Sequence, residues 1–313
     1  MKRFLYKSTL FLIILGVLLG WSCFYLPDSA ARSTMLGAQI TKINKLKELP
    51  GERIIIVGGS GCGQGFITSN LCARLKHPVY NMGLHAGLGL IYQMKSIEQF
   101  VHQGDMVLLT PEYSNFDGAF CFGEMELLMM VLDIIPEHKS LLTWQHWVRL
   151  LPLMPKYGAD KLRHLFMPKG TGEAANDFDS YGDSKYPSGL SPTANIPFPE
   201  SKPMTRMDFS PEIIPHIKDF ISVVEAKGGI VHIFPPAYQN STFKRQKDYI
   251  EKISEELDEQ KMPLVSSPEQ YALDDKYFYD TSYHLNLKGR ELRSDLVLRD
   301  VLRFMGNQNE GHH

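Results

Sequence analysis

Ile54-Ile55-Ile56-Val57-Gly58-Gly59-Ser60-Gly61-Cys62-Gly63 is a β-branched run that stops abruptly in glycines, with one hydroxyl at the break. Ile and Val favour a pleated strand buried on both faces, and glycine permits positive φ and close approach of a backbone or ligand. The stretch predicts a buried strand that delivers Ser60 to the rim of a sheet. Gln64 to Leu75 then has helical character, which puts Ser60 on a strand-to-helix turn near helix N–H groups, where developing negative charge is favoured.

Two phosphate-loop patterns fail letter by letter. Gly58 and Gly63 have Walker A spacing, but Gln64-Gly65 stands where Lys-Ser/Thr is required. The dinucleotide pattern G-x-G-x-x-G meets Gln64 when started at Gly59 and Phe66 when started at Gly61. An incidental serine in a glycine turn is the plain alternative.

With 313 residues, 43% of them hydrophobic, the chain can bury a sizeable core in one large domain or one domain with an insertion. Lys+Arg 33 against Asp+Glu 35 leaves a net charge of −2, which gives no basic field for nucleic acid. Cys23, Cys62, Cys72 and Cys121 are too few for a disulfide framework, and one bridge among the last three is open.

Lys2, Arg3 and Lys7 precede an apolar run from residue 8 to 26, with Trp21, Phe24 and Tyr25 at its far end. At ~19 residues the run is long enough to span a bilayer, with basic residues inside and aromatics at the far interface. It reads as an uncleaved signal anchor over residues 1–27. A signal peptide cleaved near Asp28-Ser29-Ala30-Ala31 and a lipoprotein signal ending at Cys23 are the rivals. Each places the remainder of the chain outside the cytoplasm.

Residues 28–51 form a stalk, with Ile40, Ile43, Leu46 and Leu49 at helical spacing. Residues 52–306 carry strands alternating with helices, and 307–313 a tail. The second strand begins at Pro78-Val79-Tyr80 and ends in the glycine-rich turn Asn81 to Gly89; a helix over Leu90 to Val101 and a third strand at Asp105 to Tyr113 follow. After an interruption at 116–211 come a helix over Ile213 to Lys227, a fourth strand at Ile230 to Pro236, a helix over Phe243 to Gln260, a fifth strand from Pro263 and a last helix over Leu287 to Met305. The alternation predicts an α/β fold with a five-stranded, mainly parallel sheet, whose functional residues gather at the carboxyl ends of the strands. Within the interruption, Glu126 to Ile135 and Thr143 to Met154 look helical, and Pro168 to Pro211 loop-like.

Between the fifth strand and last helix stands Tyr279-Asp280-Thr281-Ser282-Tyr283-His284-Leu285-Asn286. A serine hydroxyl needs a base; histidine supplies one, and an aspartate fixes its tautomer and stabilises the imidazolium. Asp280 and His284 are those groups, unless Asp280 merely caps a turn beneath a surface histidine. Cys62 paired with His284 is a further nucleophile candidate, since a thiol at a helix start can be activated.

Gly59-Ser60, the Asn81-Met82-Gly83 turn and the late Asp280 and His284 together resemble the SGNH (GDSL) hydrolase superfamily, in particular its membrane-anchored DltD-like branch. The resemblance covers roughly 52–305. It implies a flavodoxin-like three-layer α/β/α fold, Ser60 as nucleophile, His284 as base, Asp280 as its partner and an acyl-enzyme on an ester substrate, with no cofactor and no metal. Implied partners are an acylated glycan or small acyl ester, the membrane through the N-terminal helix and a membrane-bound O-acyltransferase; the implied location is the bacterial cell membrane, with the domain outside. Three positions differ from the family pattern: Gly-Gly-Ser replaces Gly-Asp-Ser, the late spacing is D-x-x-x-H, and Thr110-Pro111-Glu112-Tyr113 replaces a Gly-x-Asn-Asp block whose Asn donates to the oxyanion. The oxyanion hole must then lean on the Ser60 N–H and on Gly83 or Gly87, with Gly61, Asn81, Glu112 and Tyr113 lining the site. A scarcely catalytic accessory protein of an O-acyltransferase system is the second reading.

Overall fold

The computed structural model describes residues 1–26, 29–118, 120–166, 176–185 and 207–310, and the side chains of 29–30 and 307–310 are not described. The chain divides into two compact units, one of residues 1–40 with 124–175, the other of 41–123 with 176–313.

The first unit begins with α1 (Lys2–Tyr25), followed by the short α2 (Ser29–Arg32) and the start of α3 (Ala38–Glu48). Helix α1 is long and apolar enough to cross a membrane. Residues 124–175 add α7 (Met125–Ile134), α8 (Trp144–Leu150) and α9 (Met154–Phe166). The helix expected over Thr143 to Met154 breaks after Leu150, and a second helix starts at Met154. Helix α9 packs along α1, where the Ser22 hydroxyl donates to the Gly158 carbonyl at 3.0 Å. Lys161 and Asp133 pair at 2.7 Å in the same unit, and Tyr157 also donates to Asp133. A cleft of about 320 Å³, its open mouth included, is lined there by Phe24, Met129, Leu132, Trp147, Leu150 and Met154; it contains none of the predicted site residues.

The second unit is α/β. Its strands are β1 (Ile54–Gly58), β2 (Val79–Asn81), β3 (Met106–Thr110) and β4 (Ile230–Ile233), in the order β2-β1-β3-β4, all parallel. Ile54 pairs with both Val79 and Met106, and Leu108 with His232. Parallel strands buried on both faces read as continuous apolar runs, and every residue of β1 and β3 is buried. The expected fifth strand at Pro263 is a correction: the sheet has four strands. Residue Leu264 makes only an isolated parallel bridge to Ile233, because Pro263 lacks an N–H and the pairing stops after one residue on either side.

Helices α4 (Ser60–Gly63) and α5 (Thr68–Leu75) connect β1 to β2, α6 (Leu90–Glu98) connects β2 to β3, and α10 (Ile213–Ala226) precedes β4. After β4 come β5 (Tyr238–Gln239), α11 (Asn240–Arg245), α12 (Lys247–Glu259), β6 (Ala272–Leu273) and α13 (Leu287–Glu310). The single helix expected over Phe243 to Gln260 breaks at Gln246, and β5 and β6 form a two-stranded parallel sheet that periodicity did not show. Leu71 and Leu75 of α5 and Val297, Leu298 and Val301 of α13 form one core with Ile54, Ile56 and Leu108 of the sheet. In the expected loop at 168–211, residues 176–185 belong to this unit, where Asn81 donates its N–H to the Tyr181 carbonyl; 168–175 and 186–206 lie outside the described residues.

Candidate active site

Strand β1 ends at Gly58, Gly59 takes an extended conformation, and Ser60 opens the four-residue α4. The sequence anticipated a longer helix from Gln64; the chain instead makes one tight turn at Ser60–Gly63 and restarts at Thr68. Among the described residues the Ser60 N–H has no hydrogen-bond acceptor. A Cβ on Gly59 would stand 2.6 Å from Glu112 Oε1 and 2.8 Å from Ala86 Cα, so this position admits no side chain while Glu112 occupies the space.

Glu112 follows β3 and is only 4% exposed. Its Oε1 accepts the Gly61 N–H at 2.8 Å and faces the Ser60 hydroxyl at 3.5 Å. The Asn115 side chain holds the Glu112 backbone by accepting its N–H at 3.0 Å. Burial pushes the Glu112 carboxyl above the usual carboxylate range, against the opposing pull of the Gly61 N–H, His284 and Arg293.

The late block forms a closed loop. Phe278 and Leu285 bridge in antiparallel fashion, and the Thr281 hydroxyl accepts the N–H groups of Tyr283 and His284. This turn brings Asp280 Oδ1 to 2.8 Å from His284 Nδ1, so the four-residue spacing still pairs the two side chains. The loop rests on the Ser60 turn at two points: Tyr283 Cβ lies 3.2 Å from where a Gly61 Cβ would stand, and the Tyr279 hydroxyl donates to the Gln64 side chain. Ser60 and His284 are not hydrogen-bonded to each other; the Ser60 hydroxyl turns to Glu112, and His284 Nε2 has no hydrogen-bond partner among the described residues.

The other predicted residues hold the scaffold. The Gly83 N–H is donated to Asn81 Oδ1 at 2.9 Å and the Gly87 N–H to His85 Nδ1 at 3.0 Å, so neither is open to an oxyanion as expected from sequence. Gly61 is likewise engaged by Glu112. Asn81, 0% exposed, donates from Nδ2 to the Cys62 carbonyl and to Asp183, bracing the turn from within. Tyr113 packs edge-on against Tyr238 at 5.1 Å, and Tyr238 against Tyr283 at 4.6 Å, an aromatic wall beneath the late loop. Cys62 is 1% exposed, its thiol lies against the Thr110 hydroxyl, and burial pushes it up. A reactive cysteine needs the opposite environment, so the thiol alternative is not supported. All four cysteines are free, and the bridge left open does not form.

Three supporting residues carried little signal in the sequence. Arg293 of α13 reaches the Gly61 carbonyl at 2.5 Å and stacks over the Phe66 ring. Asp183 accepts from the Thr68 N–H and hydroxyl and from Asn81. Lys42 of α3 donates to the Asn81 and Gly182 carbonyls at 2.9 and 2.6 Å, and burial draws its pKa from 10.5 to about 7. Its one sequence signature is a charge between Ala38 and Leu46, four residues from each on a buried stripe.

Among the described residues no group of three or more His, Cys, Asp or Glu side chains is arranged to hold a metal ion. No protein-family model and no curated protein matches the sequence.

Proposed function

We propose that the chain is an extracytoplasmic serine esterase or O-acyltransferase, acting on acyl esters of cell-envelope glycans through an acyl-enzyme. The observation that carries this reading is the packing of the His284–Asp280 loop against the turn that presents Ser60. The strand order 2-1-3-4, with the site at the strands' carboxyl ends, fits a flavodoxin-like three-layer domain of SGNH type. The family's acidic residue before the serine and its oxyanion Asn are both missing here, and the Glu112 carboxyl occupies the space beside Gly59.

In this mechanism substrate binding turns the Ser60 hydroxyl from its long contact with Glu112 toward His284 Nε2. His284 takes the proton as Oγ attacks the acyl carbonyl, and Asp280 stabilises the imidazolium through Nδ1. Oxyanion charge is met by the open Ser60 N–H and, in the protonated form that burial of the Glu112 carboxyl favours, by a hydrogen bond from Glu112. Collapse expels the alkoxide, protonated by His284, and water or a glycan hydroxyl then takes the acyl group from Ser60. The chain is anchored by α1 with the domain on the non-cytoplasmic side, as Lys2, Arg3 and Lys7 before the span indicate.

The contact of Ser60 with Glu112 rather than His284 favours the second reading, an accessory protein that binds polymer or acyl carrier beside an O-acyltransferase. Turnover of a short acyl ester by the purified full chain, lost in Ser60→Ala with folding intact, supports the enzyme. Absence of turnover, together with normal envelope acylation in cells carrying Ser60→Ala, leaves the accessory role. Protease added to intact spheroplasts digests the domain in the proposed orientation and spares it in the reverse one.

A further inference from the structure

Arg293 of α13 is 1% exposed, and its hydrogen bonds go to neutral oxygens rather than to a carboxylate. The guanidinium donates to the Gly61 carbonyl at 2.5 Å and to the Thr110 hydroxyl at 3.3 Å, and Nε has no partner among the described residues. Gly65 leaves the space it fills: a Cβ there would stand 2.2 Å from Arg293 Nη1. A buried charge held without a counter-charge costs stability, so packing alone gives no reason for it. Two peptide units connect this cation to the site. The Gly61 carbonyl shares its unit with the Cys62 N–H, which donates to the Gly59 carbonyl at 3.1 Å; the Gly63 N–H reaches the same oxygen at 3.2 Å. The Gly59 carbonyl shares its unit with the Ser60 N–H, the group without an acceptor among the described residues. Resonance couples the two ends of a peptide unit, so charge drawn onto the carbonyl oxygen makes the N–H a stronger donor. Hydrogen bonds in series polarise one another, by roughly 10–30% per bond.

We propose that Arg293 is a positioning residue of the acyl-transfer site: through the Gly61–Cys62 and Gly59–Ser60 peptide units it holds the Ser60 N–H in place and strengthens it as an oxyanion donor. The proposal rests on the acyl-enzyme reading. It gives the buried cation a task at a distance, since Arg293 touches the far side of the turn and not the reacting atoms. The rival route runs through Glu112, whose carboxylate form the same cation favours against the push of burial. The two routes separate once Glu112 is made neutral.

The test uses the full chain in detergent micelles with a short acyl ester, and the same chain phosphonylated at Ser60 by a fluorophosphonate. Arg293→Met keeps most of the bulk and removes the charge and its donors; Arg293→Gln repeats the measurement if the Met variant does not fold. The expected result is a kcat lowered at least about tenfold, short of the roughly 10²–10³ that loss of a whole oxyanion donor costs, with KM unchanged. The phosphorus NMR resonance of the adduct is expected to move toward that of the denatured adduct, because the phosphonyl oxygen is held by a weaker donor. Arg293→Lys keeps a cationic donor and is expected to recover part of both effects. The loss in kcat is expected to persist when Arg293→Met is made in a Glu112→Gln chain; its disappearance there assigns the effect to the carboxylate and overturns the proposal. An active wild type whose folded Arg293→Met variant keeps its kcat and phosphorus resonance, or changes only KM, overturns the proposal and leaves the esterase reading intact. A wild type that neither turns over the ester nor takes the phosphonyl group at Ser60 removes that reading and the proposal together.

Discussion

Ser60 Oγ lies 3.5 Å from Glu112 Oε1, the oxygen that also takes the Gly61 N–H at 2.8 Å. Both donors converge on one oxygen, so a protonated Glu112 would carry its hydrogen on Oε2. Glutamine reproduces that arrangement with an amide: Oε1 accepts and Nε2 donates. Glu112→Gln is expected to retain most of the wild-type rate, and Glu112→Ala to lose roughly 10²–10³ in kcat, the cost of one oxyanion donor. Equal loss in both variants makes the carboxylate itself the base.

The same group sets a pH dependence. Its folded-state pKa is raised, so over the window from the ordinary glutamate value up to the raised one the folded chain holds more protons than the unfolded chain. Stability therefore falls as pH rises through that window, and activity falls with it as the donor proton is lost. In Glu112→Gln both slopes disappear. Denaturant unfolding and initial rates across the pH range check this, and an unchanged decline with rising pH in the glutamine variant contradicts it.

His284 and Asp280, joined at 2.8 Å, act with Ser60 as a unit in this account. Ser60→Ala and His284→Ala are expected to be similarly severe, their combination little worse, and Asp280→Ala to keep more activity. Cys62→Ser is expected to be mild, because its buried site beside Thr110 accepts a hydroxyl. Additive losses in the double variant indicate separate roles.

Lys42, drawn from 10.5 to about 7 by burial, has the opposite sign to Glu112. Between those two values the unfolded chain binds more protons, so stability rises with pH across the window, and the full cost of the buried charge is felt below it. Lys42→Met is expected to flatten the rise, measured by urea unfolding at several pH values. An equally steep profile in the variant places the titration elsewhere.

Gly158 meets α1 without a side chain: a Cβ there would stand 2.6 Å from Ser22 Oγ and 2.7 Å from the Leu19 carbonyl. Gly158→Ala is expected to lose about 1–3 kcal/mol from this helix pair, as overpacked contacts do. Thermal unfolding in detergent micelles measures it, and an unchanged midpoint means that the contact is plastic.

The parallel order was legible because β1 and β3 are unbroken β-branched and apolar runs, and Ser60 because glycines bracket it. His284 and Asp280 were legible as a spaced pair, although their pairing depends on the Thr281 turn. The fifth strand was overread since an apolar tripeptide after a proline cannot reveal that its ladder stops at one bridge. The free glycine donors were overread for a related reason. Whether an N–H is open depends on what lies opposite it, and Asn81 and His85 satisfy Gly83 and Gly87 from positions two residues away. Arg293 and Asp183 reach the site from the last helix and from residues 176–185, far from Ser60 in sequence.

Ser60 is an activated nucleophile if the chain is a serine esterase or acyltransferase. The most direct measurement treats the folded full chain with a fluorophosphonate and locates the adduct by peptide mass spectrometry. The predicted result is one phosphonyl group on Ser60, absent in Ser60→Ala and lost or greatly slowed in His284→Ala. A folded wild-type chain that takes up no label at Ser60, under conditions that label a known serine esterase, contradicts it.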